Sequence, residues 1–347
     1  MKTKNQILGK ELRNSRGLAW RPGMKLTNAN GNIDSATLGY QYATQTTTFI
    51  RERVVEQKFY TVPIADYVPM DVGVGAWMES IKTNLTYDVA GDFAGGISTL
   101  SSNAAQIPTV DVGTAPVTAK VITWRKGYTY SIPEVSKALA SNNWDVITGK
   151  MEALTKHWQL GIQAIAFLGL QQDQTNVPGL LTSPSVTINT TVIPQNISAM
   201  NASSFQTLVA TILGAYLANA NYTVMPNTFI MPMNDYAGMG AAASSDFPVT
   251  DMISYLENMF KKVTGEKDFK ILPLAYAQQA QNASFNNTNR YVLYRRDPET
   301  VKMDIPVDFL LNPAGTADNF SWTGIGAGQF TGTIFYRAPE AIYFDHL

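Results

Sequence analysis

The chain has 347 residues, of which 45% are hydrophobic and only 15% are charged. Charged residues are therefore scarcer than the roughly 25% of ordinary soluble proteins, and threonine and asparagine together outnumber them. The apolar content excludes a disordered chain. The lack of cysteine excludes disulfides, zinc–thiolate sites and thiol nucleophiles, and two histidines, His157 and His346, are too few for a three-histidine metal site. A surface so poor in charge favours a protein whose faces are covered by partners.

The net charge of −1 conceals an uneven distribution along the chain. Residues 1–25 contain seven basic residues and one acidic residue, Glu11, so this stretch carries +6 and the remainder carries −7. Such a basic arm is typical of segments that contact a polyanion or an acidic neighbour, although a solvated leader would have the same composition. We select as inter-subunit or DNA contacts Lys2, Lys4, Lys10, Arg13, Arg16 and Arg21.

The first third of the chain predicts an arm followed by a projecting hairpin. Residues 1–45 show no sustained periodicity and read as an extended arm, and a short helix is expected near 49–59. Residues 60–72 read as strand, with two prolines that restrict pairing to edges or bends. Strand patterns at 79–89 and 110–130 flank a stretch rich in glycine and serine. Two such patterns predict a long hairpin that projects from the body.

A long apolar stripe follows the hairpin. Ser131-Ile132-Pro133-Glu134 fits a capping box that begins a short helix. Beyond Asn143, apolar residues recur at spacings of three and four as far as Leu168. This pattern predicts one helix of about 27 residues, roughly 40 Å long. Its buried side is expected to face a sheet built partly from residues 300–311 and 330–345, and to include Trp144, Met151, Leu154, Trp158 and Ile165.

The rest of the chain mixes helices and strands without the regular alternation of a parallel doubly wound sheet, so the predicted class is α+β. The clearest helix is amphipathic, with apolar residues at i, i+3, i+4, i+7 and i+8 from Phe205. The predicted helices are 203–219 and about 249–262, and the predicted strands are 186–193, 228–231, 269–275, 290–295, 303–311, 330–336 and 341–344.

No set of residues predicts catalysis, a cofactor or a metal. His157 lies one position off the apolar stripe, which favours a boundary residue over a base or ligand. The run 324–328, Gly-Ile-Gly-Ala-Gly, lacks the strand-then-helix context of a phosphate loop and reads as a loop between strands. Asp246 and Asp251 are equally well explained as helix caps.

The order of these elements resembles the major capsid protein of tailed bacteriophages, the Hong Kong 97 type of fold. The segment 50–65 resembles the helix and strand that precede the family's hairpin, and 128–135 resembles the start of its long spine helix. The segment 177–184 resembles the turn after that helix, and 337–342 resembles the closing strand pair. The first 45 residues match nothing in detail.

This resemblance implies an N-arm, an extended hairpin called the E-loop, a P-domain with the spine helix, and an A-domain. The expected ranges are 1–45 for the N-arm, 46–75 for the first part of the P-domain, 76–119 for the E-loop, 120–200 for the P-domain with its spine helix, 201–295 for the A-domain and 296–347 for the terminal P-domain strands.

The resemblance also implies a structural protein, not an enzyme, that assembles in the host cytoplasm into the virion. Its copies would form hexamers and pentamers of an icosahedral shell around double-stranded DNA. Scaffold, portal and decoration proteins are further partners that such shells can have, and no membrane is involved. An encapsulin-type compartment, which shares the fold but encloses proteins, remains an alternative. An outer-membrane porin would need a signal peptide and many alternating strands, and an enzyme would need an acid–base set that the sequence does not display.

Overall fold

The computed structural model describes residues 58–89, 111–142, 145–240, 252–285, 287–316, 318 and 320–346. The expected arm, nearly all of the expected helix at 49–59, the hairpin tip, Trp144, Asp246 and Asp251 lie outside these residues. Residues 59–347 belong to one unit. The described helices are α1 (Ile132–Asn142), α2 (Val146–Leu168), α3 (Ala202–Asn219), α4 (Met233–Gly240), α5 (Met252–Thr264) and α6 (Gln279–Asn282).

Thirteen strands in the described ranges complete the mixed α+β architecture that the sequence predicts. They are β1 (Met70–Val72), β2 (Ser80–Val89), β3 (Asp111–Lys120), β4 (Ile122–Ser131), β5 (Thr187–Asn189), β6 (Thr228–Pro232), β7 (Lys270–Leu274), β8 (Asn289–Tyr294), β9 (Val301–Ile305), β10 (Val307–Thr316), β11 (Ser321–Phe330), β12 (Thr333–Phe335) and β13 (Ala341–His346).

A five-stranded sheet, in the order β5-β13-β8-β6-β7, separates two hydrophobic cores. Alternate residues of each strand point to opposite faces. Val292 and Tyr294 of β8 therefore join one core, while Tyr291 and Leu293 join the other. Because both faces are covered, the central strands are apolar at nearly every position. Helices α3 and α5 cover the second core, and the C-terminal half of α2 packs in the first.

Helix α2 is the long helix that the apolar stripe predicts, but it begins later than the sequence pattern suggests. Asp145 has an extended backbone, and its carboxylate accepts hydrogen bonds from the backbone N–H groups of Ile147 and Thr148. This N-cap starts a new helix of 23 residues after the break that follows α1. Leu154 and Trp158 are buried as predicted, whereas Met151 and Ile165 are only half-buried.

Helix α2 packs against two sets of strands. Its C-terminal half shares the first core with residues of the expected ranges, such as Met303 and Tyr343, and the part around Leu154 and Trp158 lies on a second sheet of three strands. The strand order of this second sheet is β10-β11-β4, and β11 contains the glycine run 324–328 that reads as a loop in sequence. Gly326 and Gly328 lie directly under α2, where a Cβ atom on either would be less than 3.0 Å from Leu154 or Trp158. The expectation of a loop is therefore wrong: the run lies inside a strand, where the lack of a side chain at Gly326 and Gly328 allows α2 to pack closely.

Other expectations also need correction. Residues 60–72 contain a 3₁₀ helix at Ile64–Asp66 and only the short strand β1. Strand β5 is three residues long, shorter than the predicted 186–193. Helix α4 and the split between β9 and β10 have no counterpart in the sequence pattern. Strands β6, β7 and β8 and helices α3 and α5 lie at or near their predicted positions.

Candidate assembly surfaces

The first candidate surface is the hairpin formed by β2 and β3. The two strands pair antiparallel over ten residue pairs, from Ser80 with Lys120 to Val89 with Asp111, and form a sheet of their own. Within the described residues no third strand joins them. Ala119, close to the body, is the one hairpin side chain that the structure describes as buried, whereas Val112 is 57% exposed. Hairpins of two strands are marginally stable in water, so this one is well suited to contact another molecule.

Among the contacts at the root of the hairpin, two join it to the body through side chains. The Thr83 hydroxyl donates to the hydroxyl oxygen of Tyr336 at 3.3 Å. The backbone N–H of Val121 donates to the carbonyl of Glu79 at 3.0 Å and extends the pairing of β2 with β3 by one step. The ammonium of Lys120 lies 2.7 Å from the carboxylate of Asp173. Hydrogen bonds from Lys120 and Asn176 lower the pKa of Asp173 below its usual value.

Strand β1 fixes the chain just before the hairpin. It pairs parallel to β9, and a carboxylate oxygen of Asp71 in β1 lies 2.5 Å from the ammonium nitrogen of Lys302 in β9. Lys302 also contacts the buried carboxylate of Asp304 at 3.2 Å. Burial alone would lower the pKa of Lys302, but hydrogen bonds to both carboxylates raise it above its usual value. The ammonium therefore stays charged, and its ion pair with Asp71 stabilises the pairing of β1 with β9.

An exposed apolar turn lies between β1 and β2. Gly73, Gly75 and Trp77 all have positive φ angles. Such angles suit glycine but are rare for a bulky side chain such as tryptophan. The Trp77 side chain is 62% exposed, and Val72, Val74 and Met78 beside it are also exposed. Clusters of this kind are typical of surfaces that contact another molecule, and no periodic pattern in the sequence points to this one.

A second apolar surface lies at the end of the sheet β10-β11-β4. The ring of Tyr130 stacks between those of Tyr128 and Trp322, with centroid distances of 6.3 Å and 5.6 Å. Ile132 and Phe320, joined there by a backbone hydrogen bond, have exposed side chains. Aromatic residues of this kind are enriched at protein–protein contacts.

Two buried charged side chains, Arg290 and Asp235, are held by several fixed partners. Arg290 forms a bidentate pair with Asp345, and its guanidinium also donates to the carbonyl of Leu181. Asp235 accepts from the backbone N–H groups of Ile197 and Ser198, and from the hydroxyl of Tyr291. Burial and the neighbouring Asp235 raise the pKa of Tyr291. These contacts fix both side chains in the core of the subunit.

Both histidines lie at the edge of the structure that the described residues form. His157 is exposed on α2, as expected for a position off the apolar stripe, and His346 ends β13. Across the described ranges, no three His, Asp or Glu side chains converge as metal ligands. A groove of about 450 Å³ between α2 and Leu311 contains one carboxylate, Glu152, and one ammonium, Lys156.

The predicted contact residues Lys2, Lys4, Lys10, Arg13, Arg16 and Arg21 lie outside the described residues, so their role stays a prediction. Among the helices that the structure does describe, none is both long enough and apolar enough to cross a membrane.

Comparison with solved structures identifies the architecture as the Hong Kong 97 type of capsid fold. The structure titled "The capsid of Myoviridae Phage XM1" matches with a TM-score of 0.68 at 12% identity, over 87% of this chain and 98% of that one. A structure from Mycobacterium phage Ogopogo matches with a TM-score of 0.55 at 12% identity, over 88% and 99%. The capsid of an empty GTA particle gives 0.52 at 11% identity, over 89% and 97%.

The protein is therefore of the phage-capsid class in its fold, and its described residues include exposed apolar surfaces. No curated protein matches its sequence. The family model described as "Major capsid protein" matches residues 95–347, well over half of the chain. The chain belongs to the major capsid protein family. This confirms the resemblance stated from sequence and indicates a structural role in a shell made of many copies, located in the virion.

Proposed function

We propose that copies of this chain form the hexamers and pentamers of an icosahedral shell that encloses double-stranded DNA. In this proposal the hairpin β2–β3 is the E-loop, α2 belongs to the P-domain, and the segment around α3 and α5 is the A-domain. Assembly takes place in the host cytoplasm, where a chain without cysteine forms no stray disulfides. Scaffold, portal and decoration proteins are further partners of such a shell.

The observation that carries the proposal is the exposure of the hairpin. Strands β2 and β3 form a separate two-stranded sheet of ten residue pairs, which contacts the body at its root. A neighbouring subunit that covered the outward face, including Val112, would remove apolar surface from water. Repeated around a closed ring, many weak contacts of this kind sum to a stable shell.

Assembly of hairpin variants tests this role. Val112→Lys places a charge on the hairpin, and Val263→Lys places the same charge on an equally exposed valine of α5, 52% against 57% exposed. Both variants should unfold at the wild-type temperature as single subunits, because neither valine is buried. Negative-stain microscopy should show that Val112→Lys, and a deletion of residues 91–103, do not form stable shells. Normal shells from both would exclude the hairpin as an assembly element.

The contents of purified shells test the remaining part of the proposal. Particles from infected or expressing cells, treated with nuclease, should retain double-stranded DNA and lack a stoichiometric protein cargo. A single enzyme enclosed in every particle, without DNA, would instead assign the chain to encapsulin-type compartments. Particles in neither form, with the protein found only as a small oligomer, would contradict a shell role.

A further inference from the structure

One buried side chain links the root of the hairpin to the sheet below it. Gln329, near the end of β11, is 4% exposed and lies opposite Thr123 of β4 in the sheet register. Its Oε1 accepts a hydrogen bond from the backbone N–H of Trp77 at 2.7 Å. Its Nε2 donates to the hydroxyl oxygen of Thr123 at 3.0 Å. A single amide thus joins the turn before β2 to the strand after β3.

The link lies where the backbone changes direction. The chain is fixed as far as Gly73, whose N–H donates to the carbonyl of Ile305 at the end of the β1–β9 pairing. It then passes through the positive φ angles of Gly73, Gly75 and Trp77, and β2 begins at Ser80. Because glycine has access to many backbone angles, the direction of the hairpin depends on where this turn is held. The bond to Gln329 holds its last residue with a positive φ angle.

We infer that Gln329 is a positioning residue that fixes the angle at which the hairpin leaves the body. The bond is more effective than a surface contact because Gln329 is buried, and losing the acceptor would leave the Trp77 N–H without its partner. The Lys120–Asp173 pair is largely exposed and contributes less to a fixed geometry. The inference rests on the proposed function, in which a correctly aimed hairpin reaches the neighbouring subunit.

The angle can be measured in the unassembled full-length subunit with two spin labels. The chain has no cysteine, so Thr114→Cys on the hairpin and Glu152→Cys on α2 provide two unique, exposed labelling sites. Pulsed electron spin resonance on this background should give one narrow distance distribution. Gln329→Leu removes both hydrogen bonds and should abolish the narrow peak, which spreads into a broad distribution.

Two further variants separate positioning from general damage. Gln329→Glu keeps an acceptor for the Trp77 N–H and for the Thr123 hydroxyl, so it should retain the narrow peak. Gln195→Leu makes the same change on an exposed glutamine near α3 and should leave the distribution unaltered. Should Gln329→Leu fail to fold, Thr123→Val, at an exposed position, removes one of the two bonds and should broaden the distribution partially. A narrow peak in Gln329→Leu, or in Thr123→Val where that replaces it, overturns the inference. Equal broadening in Gln195→Leu overturns it as well.

Shell assembly of the same variants distinguishes this inference from the proposed function. Loss of the narrow peak together with loss of closed shells in Gln329→Leu supports both. Loss of the narrow peak with normal shells leaves the positioning role standing and removes the assembly role of the hairpin. An unchanged distance, combined with failed assembly of Val112→Lys, removes the positioning role and leaves the assembly role standing.

Discussion

The indole ring of Trp158 lies so close to Gly328 that a Cβ atom on the glycine would be less than 3.0 Å from it. Trp158 is 5% exposed, and its ring also contacts Trp124, Phe309 and Phe330, with centroids 5.4 to 6.3 Å away. The missing side chain of Gly328 therefore leaves the space that Trp158, the largest residue of α2, occupies. Leu154 occupies the corresponding space over Gly326.

Filling this space should destabilise the subunit. Gly328→Ala forces Trp158 or β11 to move, and overpacking of this kind costs about 1–3 kcal/mol. Gly315→Ala in β10 is the matched control, since it adds the same methyl group to a strand glycine with nothing within 4 Å. Urea unfolding of unassembled subunits should show a lower stability for Gly328→Ala alone. Equal effects of the two substitutions would contradict the packing described for α2.

Removing the indole should be costly by itself and should change the effect of Gly328→Ala. Trp158→Ala deletes a buried aromatic side chain and should cost about 3–5 kcal/mol. In the double variant the added methyl group no longer meets a ring. The loss of stability in the double variant should therefore be smaller than the sum of the two single losses, by a coupling energy of about 0.5–3 kcal/mol. Strict additivity in the same urea experiment would show that the two residues are not in contact.

The same pair of residues shows what the sequence could and could not predict. The stripe that contains Leu154 and Trp158 predicts a helix and its buried side, because periodic apolar residues dictate both. Strand β11 was missed because glycine has no side chain to favour a strand, and the reason for its glycines lies on α2. Helix α3 was found from its own local pattern. The hairpin was also found from local patterns, but the bond between Trp77 and Gln329 joins residues 252 positions apart and has no local signal.

The buried ion pair between Arg290 and Asp345 should be essential for stability of the five-stranded sheet. The two residues lie opposite each other on β8 and β13 and are almost fully buried. Asp345→Asn leaves an uncompensated guanidinium in the core, which should cost about 3–5 kcal/mol. Glu299→Gln breaks the exposed pair with Arg337 and should cost less than about 1 kcal/mol. Calorimetry of the subunits should show a much larger loss of stability for Asp345→Asn than for Glu299→Gln. Small and similar losses in both variants would show that the buried guanidinium of Arg290 finds another partner.

Because of the pair between Lys120 and Asp173, the stability of the hairpin root should depend on pH in the acid range alone. The pKa of Asp173 is lowered from its ordinary value of 3.8 by its bonds to Lys120 and Asn176. A carboxyl with a lowered folded-state pKa contributes stability above the unfolded value and loses it as the pH falls through the folded value. Asp173→Asn should therefore unfold at a lower temperature than wild type from about pH 5 to 7.

This difference should vanish once the pH falls below the folded-state pKa of Asp173. Lys120→Gln should reproduce the behaviour of Asp173→Asn, since it removes the other partner. Asp111→Asn serves as the control. Asp111 lies at the end of β3 opposite to Lys120, and its substitution should leave the unfolding temperature unchanged. If the difference in unfolding temperature between wild type and Asp173→Asn stayed the same at acid pH, the carboxylate charge would not be the cause of the stabilisation at the hairpin root.

The basic arm should act mainly on neighbouring subunits and secondarily on DNA. Residues 1–25 carry +6 and the remainder −7, so acidic side chains of adjacent copies are available partners, as are phosphates. Both interactions weaken with salt, so salt cannot distinguish them. Two variants with equal loss of charge can. Arg13, Arg16 and Arg21 replaced by serine should lower the yield or melting temperature of shells assembled without DNA.

Lys2, Lys4 and Lys10 replaced by serine should leave those empty shells unchanged and reduce DNA retention in filled ones. This difference is expected because the three arginines lie closer in sequence to the body, where neighbouring subunits are in reach, and because the guanidinium pairs with carboxylates in a bidentate geometry that lysine lacks. Empty shells that melt at the wild-type temperature without the three arginines, together with poorer DNA retention, would assign the whole arm to the genome. The melting temperature of the empty shell is therefore the measurement that decides between the two partners of the arm.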